Sequence, residues 1–286
     1  MSRRFLVVSN AHSGSNDQEL ETAVVEALGS VEILRLSESP DLGKEVKRAV
    51  GEDRVVVVVG GDGTVNATVQ HLGGGTLGVI PGGTRNHFAR DLGVPELDQA
   101  LEAIRSGTER RADLGRVNGK AFVNNAGLGL YPELVEERER KEDAIGRWPA
   151  MLAGAFRLWR GADPVVATVS RDGDRRAVSA WVVFVGNNRF DTAPGRLGRR
   201  QRLDEGVLDV RVITAKRHPS SFTPAWRLLR KASWQPDGQV RASARSLEVD
   251  VSGPPRLFSV DGETAGPERR LSFEIEPGAL NVLAPG

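Results

Sequence analysis

The chain contains no cysteine among its 286 residues, which excludes disulfide bonds and thiolate chemistry. It also lacks any apolar run approaching the roughly 20 residues that span a bilayer. Residues 1–9 are too short and too soon polar for a secretory signal, and they predict a first β-strand instead. We therefore expect a cytoplasmic protein.

Histidine is scarce as well, with four residues in the whole chain. These four lie far apart and show no metal-ligand spacing, which argues against zinc and against histidine catalysis; they are His12, His71, His87 and His218. The serines have no nucleophile-elbow pattern and no partnering histidine. The sequence therefore argues against a hydrolase.

The net charge of +1 hides an uneven distribution along the chain. Residues 1–115 carry 12 basic and 17 acidic side chains, whereas residues 189–245 carry 13 basic and 5 acidic ones. A regional basic excess of this kind attracts phosphates, nucleic acid or an anionic membrane. The alternative is a solvated face that nearby acidic residues balance.

The first 110 residues alternate strand patterns with helix patterns. Leu20, Val24 and Leu28 recur at helical spacing, and the five consecutive valines Val55–Val59 are typical of a central parallel strand buried on both faces. The alternation predicts an α/β domain with a doubly wound, mostly parallel sheet over residues 1–115.

The remaining chain predicts a second, mainly β domain over residues 116–276, with residues 277–286 returning to the first domain. Strand patterns follow one another in succession, at Ala121–Ala126, Pro164–Ser170, Ala177–Gly186, Val207–Thr214, Leu247–Val251, Leu257–Val260 and Leu271–Ile275. Two helical insertions are expected around Arg147–Arg160 and Pro219–Ser233. Ala279–Leu283 is expected to form one more strand.

A glycine-rich turn follows the valine strand. It comprises Gly60, Gly61, Asp62, Gly63, Thr64, Val65 and Asn66. Glycines between a strand and a helix let backbone N–H groups approach an anion closely, and the helix N-terminus adds a favourable dipole. An acidic residue there would repel bare phosphate, so Asp62 indicates a magnesium ion or a proton-accepting role. The alternative is a tight turn in which Asp62 caps its own helix.

A second turn of the same kind follows the next predicted strand. Gly83, Thr84 and Asn86 lie at the start of the following helix, on the carboxyl edge of the sheet where ligands bind in such folds. Two adjacent phosphate cradles suit a triphosphate. Residues 9–14 follow the first strand and form a third candidate cradle.

These segments together resemble the diacylglycerol-kinase catalytic-domain family, which includes bacterial lipid kinases and sphingosine and ceramide kinases. Seven matching segments occur in the family's order along nearly the whole chain: Asn10–Gly14, Gly60–Asn66, Pro81–Arg90, Asn124–Gly129, Gly186–Asn188, Leu203–Val210 and Asp261–Glu263. A single GGDGT turn is shared with NAD kinases and phosphofructokinases, but all seven segments together are strongly specific.

The resemblance implies a nucleotide-binding α/β domain, a β-sandwich-like second domain and an active site in the cleft between them. It further implies that ATP lies along Asn10, the Gly60–Asn66 turn and Thr84, with Ser37 where the family has a nucleotide-contacting threonine. Asp62 would organise Mg²⁺ and the γ-phosphate. A further, structural Mg²⁺ would lie near Arg202, Glu205 and Val207.

By the same resemblance, Glu263 matches the general base for the lipid hydroxyl, with Asp261 beside it. The implied activity is ATP-dependent transfer of a phosphoryl group to a lipid such as diacylglycerol, in phospholipid biosynthesis. We expect the basic region to dock on an anionic membrane surface rather than on nucleic acid, and a homodimer could pair through a sheet edge.

Two positions depart from the family pattern. Arg85 replaces a common glycine, and Glu205 replaces a common aspartate. Two rival functions stay open at this point. One is an NAD-kinase-like enzyme with a soluble substrate, and the other is a non-catalytic nucleotide or lipid sensor.

Overall fold

The computed structural model describes residues 4–10, 15–37, 41–129, 164–171, 174–193, 196, 198–215 and 239–286. The chain divides into two compact units. The first comprises Met1–Asn124, Asn187–Val207 and Ile275–Gly286, and the second comprises Asn125–Gly186 and Leu208–Glu274. The sequence places the boundary after residue 115, nine residues before the break in the structure, and it does not anticipate that residues 187–207 belong to the first unit.

The first unit begins with alternating strands and helices, as the hydrophobic periodicity predicts. Its elements are β1 (Phe5–Ser9), α1 (Ser15–Leu28), β2 (Val31–Arg35), α2 (Leu42–Gly51), β3 (Val55–Gly60), α3 (Asp62–Leu72), β4 (Thr76–Pro81), α4 (His87–Leu92), α5 (Leu97–Ser106), β5 (Glu109–Val117) and β6 (Lys120–Phe122). Among the described helices, none is long and apolar enough to cross a bilayer.

The sheet of this unit is parallel at its centre. β1 lies between β2 and β3, and β3 pairs with β4, all in parallel. Val7 pairs with Ile33 on one side and with Val57 on the other. All five valines of β3 are buried, because helices cover both faces of such a sheet. The predicted α/β fold is confirmed.

The C-terminal part of the chain contributes to the same unit through β15 (Arg270–Leu283). Asn281 pairs in parallel with Thr76, and Val282 pairs with Leu77. The separate strand predicted at Ala279–Leu283 is therefore the end of one long strand. Apolar packing holds it in place, since Leu280, Val282 and Leu283 are buried.

A buried carboxylate also ties the three segments of the first unit together. Asp113 on β5 is 2% exposed. Its Oδ2 accepts from the Gly206 N–H at 2.6 Å, and its Oδ1 accepts from the Gly278 N–H at 2.8 Å. Its own N–H donates to the Leu203 carbonyl at 2.6 Å. Hydrogen bonds to a charged group are among the stronger ones in proteins, at about 1.5–3 kcal/mol each.

The described part of the second unit is built from strands, so the mainly β prediction is confirmed. The strands are β7 (Asn125–Gly129), β8 (Val165–Arg171), β9 (Asp174–Asn187), β10 (Leu208–Thr214), β11 (Gln239–Ala244), β12 (Ser246–Val251), β13 (Arg256–Val260), β14 (Glu263–Glu268) and the first part of β15. They follow the order β14-β13-β7-β9-β8-β12-β15, with β10 pairing β9 and β11.

The prediction of one strand at Ala121–Ala126 is wrong, because the structure has two strands there. β6 ends at Phe122, and β7 begins at Asn125. The two residues between them turn their carbonyls to other partners. Val123 O accepts from Arg200, and Asn124 O accepts from the Asn187 N–H. Asn187 is the last residue of β9, so the Asn124 bond extends the pairing of β7 with β9. The Val123 carbonyl bonds to side chains instead of to a neighbouring strand, which separates β6 from β7.

Three predicted features lie outside the described residues. They are the helices around Arg147–Arg160 and Pro219–Ser233, and residues 11–14 of the third candidate cradle.

Candidate active site

The glycine-rich turns after β3 and β4 lie side by side in the first unit. Gly60 pairs with Pro81 where the two parallel strands end, and the Gly82 N–H donates to the Gly60 carbonyl at 3.0 Å. The carboxyl ends of parallel strands form the edge where ligands bind in open α/β sheets. The two predicted phosphate cradles are therefore neighbours at that edge.

The two turns touch through backbone atoms with no room for side chains. A Cβ atom on Gly83 would lie 2.5 Å from the Gly61 Cα, and a Cβ on Gly82 would lie 3.2 Å from the Gly60 Cα. This close approach requires glycine at these positions. Gly60, Gly61 and Gly82 are half-buried, and Gly83 is exposed.

Replacing Gly83 by alanine is expected to force the turns apart. We expect a loss of about 1–3 kcal/mol in unfolding free energy, which is typical of overpacking, and weaker binding of the nucleotide that the family resemblance implies. Denaturant unfolding and nucleotide titration measure the two effects. Gly51→Ala is the matched control, because a Cβ there meets nothing within 4 Å and alanine favours the helix. Equal behaviour of the two variants would contradict the close-contact argument.

The Asn86 side chain stabilises the second glycine turn by bonding to its backbone. Its backbone is left-handed, with φ of 46°, a conformation that asparagine tolerates better than most residues. Its Oδ1 accepts from the Gly83 N–H at 2.9 Å, and its Nδ2 donates to the Gly83 carbonyl at 2.7 Å. Asn86 therefore shapes the cradle, while Thr84 and Arg85 are exposed beside it.

Asp62 links the first turn to the helix that follows the second. Its Oδ2 accepts from the His87 N–H at 2.9 Å, and its Oδ1 accepts from the Phe88 N–H at 3.0 Å. Gly61 is the N-cap of α3, so Asp62 does not cap its own helix. It caps α4 instead, where a negative charge meets the positive end of the helix.

Three further residues, missed as site residues in the sequence, continue from Asp62. The Asn124 Nδ2 donates to the Asp62 Oδ1 at 3.1 Å, and the Asn124 Oδ1 accepts from the Arg200 Nη2 at 2.7 Å. The Arg200 Nε donates to the Asp91 Oδ2 at 2.8 Å. The sequence did carry a signal for Asn124, because it is a polar residue at the end of the apolar run Ala121–Val123. A polar group buried there needs hydrogen-bond partners.

The other predicted nucleotide-binding residues of the first unit fall into two groups. Asn10 and Ser37 are exposed just beyond β1 and β2, at the edge that carries the glycine turns. Thr64 and Asn66 are buried within α3, behind Gly63. The Asn66 Nδ2 donates to the Ala121 carbonyl at 3.0 Å, so a direct nucleotide contact from this side chain would require that bond to be exchanged.

The predicted structural metal segment has its polar groups engaged within the protein. The Glu205 Oε2 accepts from the Arg189 N–H at 3.0 Å, and the Val207 carbonyl accepts from the Asn188 N–H at 2.9 Å. Arg202 donates two hydrogen bonds to Asp204, and these bonds lower the pKa of the Asp204 carboxyl. A cation here would have to share these oxygens with their present N–H donors, using the second lone pair of each oxygen.

Asp62 suits a magnesium ion better than that segment does. Magnesium takes oxygen ligands and is commonly held by one or two carboxylates together with substrate phosphates. Asp62 is a half-buried carboxylate beside two phosphate-sized backbone cradles. Among the described residues no group of three or more His, Cys, Asp or Glu side chains could hold a metal.

Glu263 and Asp261 lie on a tight hairpin of the second unit. Asp261 and Gly262 form the two-residue loop between β13 and β14, and both have positive φ, at 49° and 90°. Asp-Gly in such a loop is typical of a type I′ turn. The Asp261 Oδ1 accepts from the Asn125 N–H at 2.9 Å, which fixes the hairpin on β7. Glu263 is the exposed first residue of β14.

Comparison with known protein families identifies the chain. The model described as the diacylglycerol kinase catalytic domain matches residues 4–117, and the one described as the YegS C-terminal NAD kinase beta sandwich-like domain matches residues 137–284. The chain therefore belongs to the diacylglycerol kinase family, with the sandwich-like second domain that the resemblance implied.

Individual relatives agree with this assignment, and the chain is a kinase. It is 29% identical over 225 residues to a "Diacylglycerol kinase" of Bacillus subtilis (strain 168), covering 76% of this chain and 74% of the relative. It is 28% identical over 296 residues to a "Probable lipid kinase YegS-like" of Pseudomonas aeruginosa, covering 98% and 94%. A solved diacylglycerol kinase structure from Bacillus anthracis str. Sterne shares the fold, with a TM-score of 0.75, 23% identity and coverage of 99% and 97%.

Proposed function

We propose that the protein transfers the γ-phosphoryl group of ATP, with Mg²⁺, to the hydroxyl group of a lipid such as diacylglycerol. The observation that carries this proposal is the pair of glycine turns joined by the Asp62 carboxylate. Two adjacent cradles of backbone N–H groups suit the phosphates of a nucleotide. A fixed carboxylate between them suits the cation that accompanies those phosphates.

Within this proposal, most of the protein's work is positioning and charge stabilisation. Asn10 and Ser37, together with the residues of the two turns, would hold the nucleotide. Thr84 would offer a hydroxyl and Arg85 a positive charge to the phosphates. When bound, Mg²⁺ would neutralise negative charge on the phosphate oxygens, and Asp62 would hold it.

The transfer step needs a group that accepts one proton. The lipid hydroxyl oxygen forms a bond to the γ-phosphorus while the bond from that phosphorus to the bridging oxygen breaks, and ADP leaves. We assign the hydroxyl proton to the Glu263 carboxylate, which is exposed at the start of β14. Asp261 would act by holding the hairpin in place through Asn125.

The basic segment 189–202 supports membrane docking in part. Arg189, Arg199 and Arg202 are exposed and could face lipid phosphates. Arg200 cannot, because its side chain is 0% exposed. We propose a cytoplasmic enzyme that meets its substrate at an anionic membrane surface, in phospholipid biosynthesis.

Transfer of label from γ-labelled ATP into a lipid panel tests this proposal. The panel contains diacylglycerol, a sphingoid base, phosphatidylglycerol and a polyprenol in mixed micelles with MgCl₂. Glu263→Gln is expected to lower kcat by about 10²–10⁴-fold, the range for loss of a general base, with KM for ATP nearly unchanged. Glu268→Gln, also exposed on β14, is the matched control and should match the wild type.

The outcomes separate the alternatives. If a lipid is labelled and the Glu263→Gln variant stays active, the lipid-kinase proposal holds, but Glu263 is not the general base. ATP binding without any labelled lipid would favour a soluble substrate or a sensor. Equal rates on vesicles with and without phosphatidylglycerol would argue against docking on anionic lipid.

A further inference from the structure

The Arg200 side chain is 0% exposed, whereas Arg189 and Arg202 of the same basic segment are exposed. Four of its five N–H donors have partners. Nε donates to Asp91, Nη2 to Asn124, and Nη1 to the carbonyls of Val123 at 2.6 Å and Asn187 at 3.1 Å. Its guanidinium also lies 5.2 Å from the centre of the Phe190 ring. The cation is paired and rigid, so it offers a fixed donor to Asn124.

That fixed donor determines how the Asn124 amide is oriented. An arginine can only donate hydrogen bonds, so the Asn124 oxygen must face it. The Asn124 nitrogen then faces Asp62 and donates to Oδ1. Asn124 is 4% exposed, which leaves water little access to compete for these bonds.

The donors around Asp62 are divided unequally between its two oxygens. Oδ1 accepts from the Phe88 N–H and from the Asn124 Nδ2, whereas Oδ2 accepts from the His87 N–H. A carboxylate oxygen has two lone-pair sites. Oδ1 is therefore filled, and the remaining acceptor capacity of the carboxylate lies on Oδ2.

We propose that Arg200 and Asn124 are positioning residues that turn the Asp62 carboxylate so that Oδ2 serves as the magnesium ligand. Arg200 orients Asn124, and Asn124 occupies Oδ1 and prevents the carboxylate from rotating. Asp91 pairs with Arg200 at 2.8 Å and also with Arg90 at 3.4 Å, and these contacts hold the Arg200 guanidinium in place. This inference rests on the proposed role of Asp62 in holding Mg²⁺.

The test is the gain in ATP affinity that magnesium produces. ATP binding is measured by calorimetry with MgCl₂ and again with EDTA, at a temperature where circular dichroism shows each variant to be folded. Asn124→Leu removes the donor to Asp62 at similar size, and we expect the magnesium-dependent gain to fall about tenfold, with affinity in EDTA within twofold of the wild type. The tenfold change corresponds to about 1.4 kcal/mol, close to the lower end of the range of about 1.5–3 kcal/mol for one hydrogen bond to a charged group.

Asn187→Leu is the matched control. Asn187 is also a buried asparagine of the first unit, and its Nδ2 donates to the Asp113 and Val123 carbonyls at 2.8 and 3.1 Å. It makes no bond to Asp62, and its contact with Arg200 is made by its backbone carbonyl, which leucine keeps. Loss of the amide side chain should therefore lower stability but leave the magnesium-dependent gain intact. In an Asp62→Asn background, Asn124→Leu should have no further effect on that gain, because the residue acts through Asp62.

Arg200→Lys provides a second variant if Asn124→Leu does not fold. Lysine keeps the charge near Asp91 but loses the forked geometry, so the magnesium-dependent gain should fall several-fold. Equal gains in Asn124→Leu, Asn187→Leu and the wild type would overturn the positioning role. A wild type with no magnesium-dependent gain would overturn it together with the proposed role of Asp62. A normal magnesium-dependent gain in ATP affinity without any labelled lipid would overturn the proposed transfer to a lipid, but not the positioning role.

Discussion

Asp62→Asn is expected to lower kcat/KM for phosphoryl transfer by about 10²–10³-fold, a loss typical of removing one preorganised electrostatic contact to the transition state. The substitution keeps the size of the side chain and removes its charge. In the proposed function the charge would hold the cation of the nucleotide, and in the structure the two oxygens accept hydrogen bonds from the N-terminus of α4. Steady-state kinetics with varied MgCl₂ measure the loss, which should not be rescued by saturating magnesium.

A stability measurement separates the two roles of Asp62. The amide group introduced by Asp62→Asn would place N–H donors against the N–H groups of α4, so we expect a loss of about 1–2 kcal/mol in unfolding free energy. Asp98→Asn is the control, because Asp98 is an exposed acid in the first turn of α5. A variant with near wild-type kcat/KM and lowered stability would show that Asp62 only caps α4.

Replacing Arg200 by methionine is expected to have the largest effect on stability. The change removes the 2.8 Å ion pair of the Asp91 carboxylate, whose side chain is 2% exposed, and leaves it only the longer 3.4 Å contact with Arg90. It also leaves the carbonyls of Val123 and Asn187 without this donor. Breaking a buried ion pair from one side costs about 3–5 kcal/mol, which corresponds to a drop in Tm on the order of 10 °C.

A double variant tests whether the unpaired charge causes that loss. Asp91→Asn combined with Arg200→Met should be more stable than Arg200→Met alone, because no buried charge remains. Arg116→Met is the control. Arg116 also pairs with a carboxylate, Glu276 at 2.8 Å, but both side chains are about one-third exposed, so about 0–1 kcal/mol is at stake. An Arg200→Met variant as stable as this control would contradict the argument.

The parts of the fold that the sequence predicts are those set by local pattern. The valines of β3 and the helical spacing of Leu20, Val24 and Leu28 identify the parallel α/β unit, since each pattern reports burial within one element. The glycines of the two turns likewise identify the cradles. Their close contact could be anticipated because adjacent parallel strands bring their carboxyl ends together.

The parts that could not be predicted depend on contacts between distant residues. Arg200 and Asp91 are 109 residues apart, and a single arginine in a basic stretch is expected at the surface. Asp62 and His87 are 25 residues apart, so the capping of α4 by Asp62 carries no signal of local spacing. The break between β6 and β7 has the same origin, because it depends on where Arg200 and Asn187 lie.

The assembly of the first unit from three separated stretches also constrains the order in which the newly made chain can fold. Asp113 can accept the hydrogen bond from Gly278 only after that residue, 165 positions later, has been synthesised. The edge of β4 likewise cannot pair with β15 until Asn281 and Val282 have been synthesised. Multidomain chains generally fold N-terminal domain first during synthesis. Here the first unit can close only after the strands of the second unit have left the ribosome, so the part made first is the last to be completed.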